Sequence, residues 1–382
     1  MLFDEAPKTD RSDLYDFQEE QDSFLRSLKE GARLVTIVGL RRTGKSSLLL
    51  TGLGATDQPS LIVDARGFAQ SPVISRADFF SAFQRTLNEF IVSQTRWSGR
   101  ILDALKSIRG VEVSSGPPPA VSLSWGRSRK ETADLPGLLA SLGRVAESRK
   151  TRFVVAFDEA QEFRRLAGYD LAKILAHVYD YIPSVQLVLT GSQVGFLHDF
   201  LGVDDAKAPL YGRVRVEIRT PRLTKDQARS FLEMGFAQIK VKPNPKNLES
   251  AIEKLDGIIG WLTFLGATAR RSRKFTQETI DQTLEEASRL AASEVTNFLE
   301  IRQIAKVRYL AIMTRLAHGT ASWSDLKRSV QAEEGRSVSD YVFNSLLSNL
   351  VKATLVSKGQ DGPYSIEDPV LIHALNSGFL RG

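Results

Sequence analysis

The sequence predicts an α/β fold in which a parallel sheet, covered by helices, is followed by two smaller, mainly helical regions. Apolar runs typical of buried strands occur at Leu34–Val38, Ser60–Arg66, Phe153–Gln161 and Val185–Gln193. Segments long enough for helices separate these runs, and this alternation predicts parallel strands. A glycine-rich loop, Gly39–Ser47, joins the first strand to a helix. Ligands in such sheets bind at the carboxyl ends of the strands, so the residues there are the candidates for function.

The composition is that of a globular protein, with 382 residues of which 42% are hydrophobic and 25% are charged. This length predicts two or three domains. The sequence has no cysteine and its four histidines are scattered, which excludes disulfides and cysteine nucleophiles and argues against a zinc site. No apolar run approaches the ~18 residues of a membrane span, and the acidic N-terminus lacks a signal-peptide core. We therefore expect a cytoplasmic protein with no membrane partner.

Positive charge is concentrated in clusters, and the net charge is +6. The clusters lie at 127–130, 149–152 and 270–274, and in a series formed by Arg213, Arg215, Arg219 and Arg222. Such clusters permit binding to DNA or another polyanion. They more often form a solvated surface, so both interpretations stay open.

The first region begins with an acidic arm and a helix for which Asp16 is the expected N-cap, with Glu19 three residues later. Apolar residues at helical spacing predict a strong helix over Ala77–Val92. Alternating apolar and polar residues on either side of a proline-rich turn predict a β-hairpin insertion at about 108–127. A helix over Leu135–Arg149 then returns the chain to the sheet.

After Pro221 the patterns become helical. Residues 221–298 predict a small helical domain, and residues 299–382 predict three helices followed by a hairpin near Gln360–Pro363. Three helices and a β-wing are the winged-helix arrangement. The predicted domains are therefore 1–220, 221–298 and 299–382.

The glycine-rich loop has the spacing G-x-x-x-x-G-K-S of a phosphate-binding P-loop. Gly39 and Gly44 allow the backbone to turn sharply and to approach a phosphate without a Cβ in the way. The N–H groups at the start of the following helix favour an anion. Lys45 can reach the β- and γ-phosphates, and the Ser46 hydroxyl can bind Mg²⁺.

Two carboxylates and a hydroxyl follow the other buried strands. Asp158 closes its strand as the expected Mg²⁺ carboxylate. Glu159, directly after it, can deprotonate an attacking water, which favours a hydrolase over a small-molecule kinase. Ser192, with Thr190 nearby, ends a strand expected between the first strand and the Asp158 strand. Its hydroxyl can bind the γ-phosphate or the attacking water, or it can simply cap the strand.

Arg213 is a candidate for stabilising the charge of the transition state. A guanidinium directed at the γ-phosphate would act in cis or from a neighbouring copy of the chain. The alternative is a surface arginine in the basic segment RVRVEIR. The residues favour neither interpretation.

These motifs coincide with those of a known family. The segments GLRRTGKSSLL, VVAFDEAQEF, LVLTGSQVGFL, APLYGRVRVEI and DGIIGWLTFLG resemble the archaeal ATPase family, a group of AAA-like and STAND-related P-loop ATPases. The resemblance covers about residues 10–375. It implies an AAA-like nucleotide-binding domain, a helical lid and a winged helix, with ATP or ADP and Mg²⁺ as ligands.

The resemblance also implies roles for individual residues. Asp158 corresponds to the Mg²⁺ carboxylate, Glu159 to the catalytic carboxylate, Ser192 to the sensor strand and Arg213 to the arginine of a Gly-Arg pair. Ile259 departs from the family pattern, which has proline at this point of the lid. The residues matched to nucleotide binding are Gly39, Arg42, Thr43, Gly44, Lys45, Ser46 and Ser47, with Tyr15 and Asp16 near the adenine edge.

The predicted function is that of an ATP-hydrolysing switch whose lid and winged helix move with nucleotide state. The alternatives are a nucleotide-gated scaffold with little turnover and a DNA-binding regulator that uses ATP as a cofactor. The presumed recognition helix, within 337–351, exposes no lysine or arginine, so DNA contact by the winged helix is the weaker expectation and a protein contact or a packing role the stronger. The client and the oligomeric state are not predicted.

Overall fold

A computed structural model describes residues 1–68, 71–114, 116–126, 132–359 and 362–380. The strands in these residues are β1 (Leu34–Val38), β2 (Ser60–Asp64), β3 (Val111–Ser114), β4 (Ala120–Leu123), β5 (Phe153–Asp158), β6 (Val185–Gly191), β7 (Val216–Arg219), β8 (Ser357–Lys358) and β9 (Tyr364–Ser365).

The main sheet has five parallel strands in the order β2-β5-β6-β1-β7. The α/β fold class is confirmed, and β6 lies between β1 and β5 as predicted. The strands β3 and β4 pair as the predicted antiparallel hairpin.

The helices of the region that contains the main sheet are α1 (Gln18–Glu30), α2 (Lys45–Gly54), α3 (Arg76–Ser93), α4 (Thr95–Leu105), α5 (Leu135–Glu147), α6 (Leu171–Tyr181) and α7 (Val194–Leu201). The later helices are α8 (Lys225–Gln238), α9 (Pro245–Leu255), α10 (Ile259–Ser272), α11 (Gln277–Glu300), α12 (Lys306–Ala317), α13 (Trp323–Glu334), α14 (Asp340–Lys352) and α15 (Pro369–Asn376). None of the described helices is both long and apolar enough to cross a membrane.

The sheet buries both of its faces because successive residues of a strand point to opposite sides. In β1, Leu34 and Val38 join a core with α3, α5 and α6, whereas Val35 and Ile37 join another with α1 and α2. Burial on both faces explains why the strands read as continuous apolar runs. The parallel pairing places the carboxyl ends of β1, β5 and β6 side by side.

Two further cores lie outside the sheet. Helices α8 to α11 enclose one of them around Phe231 and Trp261, and the N-terminal residues Leu2 and Phe3 enter it. Helices α12 to α14 enclose the other around Phe343, with β8 and β9 as the wing. The turn predicted near Gln360–Pro363 lies partly outside the described residues. The domain boundaries stay predictions; α11 runs without interruption through the one placed at 298/299.

Two local expectations are corrected by the structure. The N-cap of α1 is Phe17, in left-handed backbone with φ 58°, and not Asp16. Asp16 instead accepts a hydrogen bond from Gln227 Nε2 over 2.6 Å. The sequence interpretation also lacked α4, although Trp97 and the buried residues four and eight positions later repeat at helical spacing.

Phe3 anchors the N-terminus between two helices of the lid. Its ring is fully buried and lies edge-on to Phe231 and Phe236. A Cβ at Gly235 or Gly266 would lie 2.2 Å from ring atoms of Phe3. The two glycines therefore leave the space that the ring fills.

We expect Gly266→Ala to lower the free energy of unfolding by about 1–3 kcal/mol, because the new methyl group overpacks the Phe3 site. The matched control is Gly99→Ala in helix α4, where no atom lies within 4 Å of the new Cβ. That change is expected to raise the free energy of unfolding by about 0.5–1 kcal/mol, because alanine has a higher helix propensity than glycine. Denaturant unfolding measures both. Equal stability of the two variants would show that Phe3 does not occupy this site.

Candidate active site

The loop between β1 and α2 adopts the backbone that its glycines predict. Gly44 caps α2 in left-handed backbone with φ 86°, where a side chain would be strained. At Gly39, a Cβ would lie 2.2 Å from Thr220 Oγ1. The first turn of α2 then begins at Lys45, and the start of a helix is a favourable position for an anion.

Lys45 lies buried in the centre of this site. Its side chain is 5% exposed, and its ammonium donates to the carbonyl oxygen of Leu40 over 2.5 Å. Burial lowers the pKa of Lys45, while the charges of Glu159 and Asp158 act in the opposite direction. A buried ammonium with one backbone partner retains donors for an incoming phosphate.

Ser46 and Asp158 bring two oxygen ligands together at the carboxyl end of β5. Ser46 Oγ donates to Asp158 Oδ2 over 2.8 Å, and Thr190 Oγ1 donates to Asp158 Oδ1. Burial raises the pKa of Asp158, and a cation at this position would offset that effect. No cluster of three or more His, Cys, Asp or Glu in the described residues could hold a metal. One carboxylate and one hydroxyl fit Mg²⁺, which is usually held by few protein ligands together with phosphates.

Glu159 is the most firmly held side chain of the site. It has left-handed backbone with φ 54°. Its Oε2 accepts from the backbone N–H of Ser192 over 3.1 Å, from Ser192 Oγ over 2.6 Å and from Gln161 Nε2 over 2.5 Å. Burial raises the pKa of Glu159, but Lys45, these hydrogen bonds and Arg41 together bring it below its usual value. The carboxylate is therefore ionised at neutral pH.

A cavity of about 370 Å³ opens over these residues. It is bounded by the P-loop, by the N-terminal arm and by α8 and α10 of the lid. Tyr15 lines it, and Tyr15 Oη donates to the carbonyl oxygen of Gln227. Asp16 does not line it, because its carboxylate turns to Gln227. The predicted residues that line the cavity are Tyr15, Arg42, Gly44, Lys45, Ser46, Ser47, Glu159 and Ser192, with Gly39, Thr43 and Asp158 directly behind them.

Solved structures share this architecture over the whole chain. The Walker-type ATPase PABY2304 of Pyrococcus abyssi is 30% identical with a TM-score of 0.79, and the match covers 98% of this chain and 100% of that one. This chain belongs to the archaeal ATPase family.

More distant structures share the fold alone. The ORC2 protein of Aeropyrum pernix, solved as ADPNP-ADP complexes, is 15% identical with a TM-score of 0.58, covering 99% of this chain and 97% of that one. Its ADP form has a TM-score of 0.53 at the same identity and coverage. The family described as MCM protein C-terminal winged helix-turn-helix domain matches residues 303–366, where the winged helix was predicted. No curated protein matches the sequence significantly.

Arg213 lies away from the cavity of this archaeal ATPase. Its guanidinium pairs with Asp180 at the end of α6 and donates to the carbonyl oxygen of Pro209. Arg213 precedes β7, so it lies at the amino edge of the sheet, whereas the P-loop leaves the carboxyl edge. The length of β1 separates the two edges by about 16 Å. A contact in cis is therefore wrong for this arrangement, and a contact in trans stays a prediction.

Arg41 and Glu294 are two of the charged residues at the cavity that were not predicted. Arg41 Nη1 lies 3.1 Å from Glu294 Oε2, and Arg42 Nη2 lies 2.7 Å from Glu294 Oε1. Glu294 projects from α11, which leads into the winged helix. The double arginine within the P-loop was a visible signal for an ion pair, but nothing local marks Glu294 as its partner.

The P-loop and the sensor strand also contact the later regions. The Arg42 guanidinium lies 4.0 Å from the ring centre of Trp261, whose Nε1 donates to Asp368 over 3.2 Å. Thr354, after α14, donates to the carbonyl oxygen of Ser192 over 2.9 Å. The lid and the winged helix therefore touch the same residues that line the cavity.

Proposed function

We propose that this protein binds ATP, hydrolyses it with Mg²⁺, and uses hydrolysis to move the helical lid and the winged helix. The observation that carries the proposal is the position of Glu159, a carboxylate at the P-loop cavity that Ser192 holds through two donors. A carboxylate in this position can accept a proton from water. A small-molecule P-loop kinase seldom needs a water-activating carboxylate after this strand.

Each residue of the site would have a separate role in hydrolysis. The β- and γ-phosphates would lie at the start of α2, where Lys45 and the backbone N–H groups neutralise their charge. Ser46 and Asp158 would hold Mg²⁺, which neutralises charge on the phosphate oxygens. Glu159 would orient the attacking water and take its proton, and Ser192 keeps the carboxylate directed at that water.

The coupling would run through three contacts with the P-loop and the sensor strand. Glu294 of α11 forms ion pairs with Arg41 and Arg42. Trp261 of α10, which is hydrogen-bonded to Asp368, packs against the Arg42 guanidinium. Thr354, after α14, is hydrogen-bonded to Ser192. A γ-phosphate is an alternative partner for the P-loop arginines. Binding and loss of the γ-phosphate would therefore weaken and restore the ion pairs between the P-loop arginines and Glu294 of α11.

The finer assignments of the sequence analysis belong to this proposal. They are membership of the AAA-like and STAND-related class, the division into three domains, an archaeal source and a cytoplasmic location.

A DNA or protein partner for the winged helix is also part of this proposal. Lys327 pairs with Asp340 and Lys352 pairs with Asp199, which leaves the recognition helix α14 without free cations and favours a packing role or a protein client.

Phosphate release tests the proposal. With ATP and Mg²⁺ we expect steady-state release at about 10⁻⁴–10⁻² s⁻¹, since nucleotide switches are slow without a partner. Chelation of Mg²⁺ by EDTA should abolish it. Release that is unaffected by EDTA would contradict the assigned Mg²⁺ site.

A nucleotide-gated scaffold is the second candidate, favoured by the enclosure of the cavity by the N-terminal arm and the lid. It predicts tight ATP binding, nucleotide retained through purification and no steady-state release. A single-turnover measurement separates the two functions, because a scaffold leaves bound ATP intact.

A further inference from the structure

The basic clusters found in the sequence differ in how the structure neutralises them. Each arginine of the series Arg213, Arg215, Arg219 and Arg222 lies within ion-pair distance of a carboxylate. The cluster at 127–130 lies outside the described residues. In the cluster at 270–274, Arg271 pairs with Glu5, whereas Arg270, Arg273 and Lys274 have no carboxylate partner among the described residues. In the cluster at 149–152, no lysine or arginine has a carboxylate partner among the residues that the structure describes.

Two more arginines converge on that unpaired cluster. The Arg149 guanidinium lies 4.7 Å from the ring centre of Trp97, and that of Arg96 lies 5.8 Å from the same ring. Arg149 Nη2 also donates to the carbonyl oxygen of Arg96 over 2.9 Å. Arg100 lies one turn further along α4. Trp97 is itself buried, so its ring holds the guanidinium groups together at the surface.

No carboxylate of the described chain pairs with Arg96, Arg100 or Arg149. Desolvation and then the positive charges of Arg100 and Arg96 lower the pKa of Arg149. The crowding of like charges opposes folding, and a bound polyanion would remove that repulsion.

The positive surface continues beyond these three residues. Lys29, Lys150 and Arg152 line an adjoining cleft at the amino ends of β2, β5 and β6, together with one carboxylate, that of Glu147. We call the six cations Arg96, Arg100, Arg149, Lys150, Arg152 and Lys29 the basic edge. It lies on the side of the sheet opposite the P-loop.

We propose that the basic edge binds the phosphate backbone of duplex nucleic acid, without reading its sequence. A row of unpaired cations is the feature that phosphate contact requires. Trp97 is buried, so its ring is not available for stacking on the bases of a single strand. This binding does not depend on ATP hydrolysis.

The test compares two triple variants of the full chain that lose the same net charge. Arg96→Gln/Arg100→Gln/Arg149→Gln removes the core of the basic edge. Arg219→Gln/Arg229→Gln/Arg289→Gln removes three exposed arginines that are paired with acids elsewhere. Fluorescence anisotropy would measure the affinity for a labelled duplex of about 30 base pairs between about 50 and 250 mM salt.

We expect the parent protein to bind with an affinity that falls steeply with salt. The basic-edge variant should reduce the slope of log affinity against log salt by about 2.7, or about 0.9 for each phosphate that is no longer neutralised. The control should change the slope little, since charges beyond about 10 Å are screened.

Three results would overturn the proposal. One is an equal loss of duplex affinity in both triple variants, which would show that the effect depends on net charge alone. Another is a loss confined to Lys327→Gln/Lys358→Gln, which would place the duplex on the winged helix. The third is failure to bind duplex, including the case in which phosphatidylserine vesicles bind instead.

Discussion

Replacing Glu159 by Gln is expected to lower the rate of ATP hydrolysis by about 10²–10⁴-fold, the usual contribution of a general base. The amide keeps the shape of the side chain and can still accept from Ser192. It has no basic oxygen that could take a proton from water. Affinity for ATP should be retained, because the phosphate contacts come from the P-loop. Single-turnover hydrolysis and equilibrium binding of a fluorescent ATP analogue measure the two quantities separately.

Glu162→Gln is the matched control for this change. Glu162 lines the same cavity three residues later, but burial raises its pKa and its main partner is Arg165. Glu162 is therefore engaged by an arginine, whereas Glu159 Oε2 is held by Ser192 and Gln161 at the end of β5. We therefore expect the control to hydrolyse ATP at most about tenfold more slowly than the parent. If Glu162→Gln instead caused the large loss and Glu159→Gln did not, the base would be Glu162.

The strands and the P-loop could be predicted from the sequence because their signals are local. A strand buried on both faces is mainly apolar over about five consecutive residues. Only Thr36 interrupts Leu34–Val38, and residues 153–157 are apolar up to Asp158. The P-loop spacing is set by one turn of backbone around a phosphate. Parallel strands then bring Asp158, Glu159 and Ser192 to one edge, since their carboxyl ends coincide.

The contacts that the sequence did not predict depend on how distant segments pack. Arg42 and Glu294 lie 252 positions apart, and Glu294 resembles any other acid on an exposed helix face. The position of Arg213 follows from the loop that connects α7 to β7, which returns the chain to the amino edge before β7 begins. No periodicity in that loop reveals its path. Asp16 was placed at a cap because its spacing to Glu19 fits one, but Phe17 is the buried residue that fixes the turn.

Glu294→Gln is expected to disconnect the P-loop from α11. The change leaves Arg41 and Arg42 without their shared carboxylate. The side chains of both ion pairs are about a third exposed. The free-energy cost of losing the two pairs therefore lies between the cost for a surface pair and the cost for a buried pair, at about 2 kcal/mol. This corresponds to a change of about 30-fold in the equilibrium for local opening of α11 and the adjoining α12.

Hydrogen exchange in the Glu159→Gln background would measure the effect, because ATP stays bound there without hydrolysis. We expect the amides of α11 and α12 to exchange differently in the ATP and ADP states, and Glu294→Gln to abolish that difference. Glu285→Gln is the control on the same helix, since Glu285 pairs only across one turn with Arg289. If the difference survived in Glu294→Gln, the coupling would be carried by the two other contacts, that of Arg42 with Trp261 and that of Thr354 with the carbonyl of Ser192. Thr354→Val separates these two, because valine keeps the shape of threonine but cannot donate to Ser192.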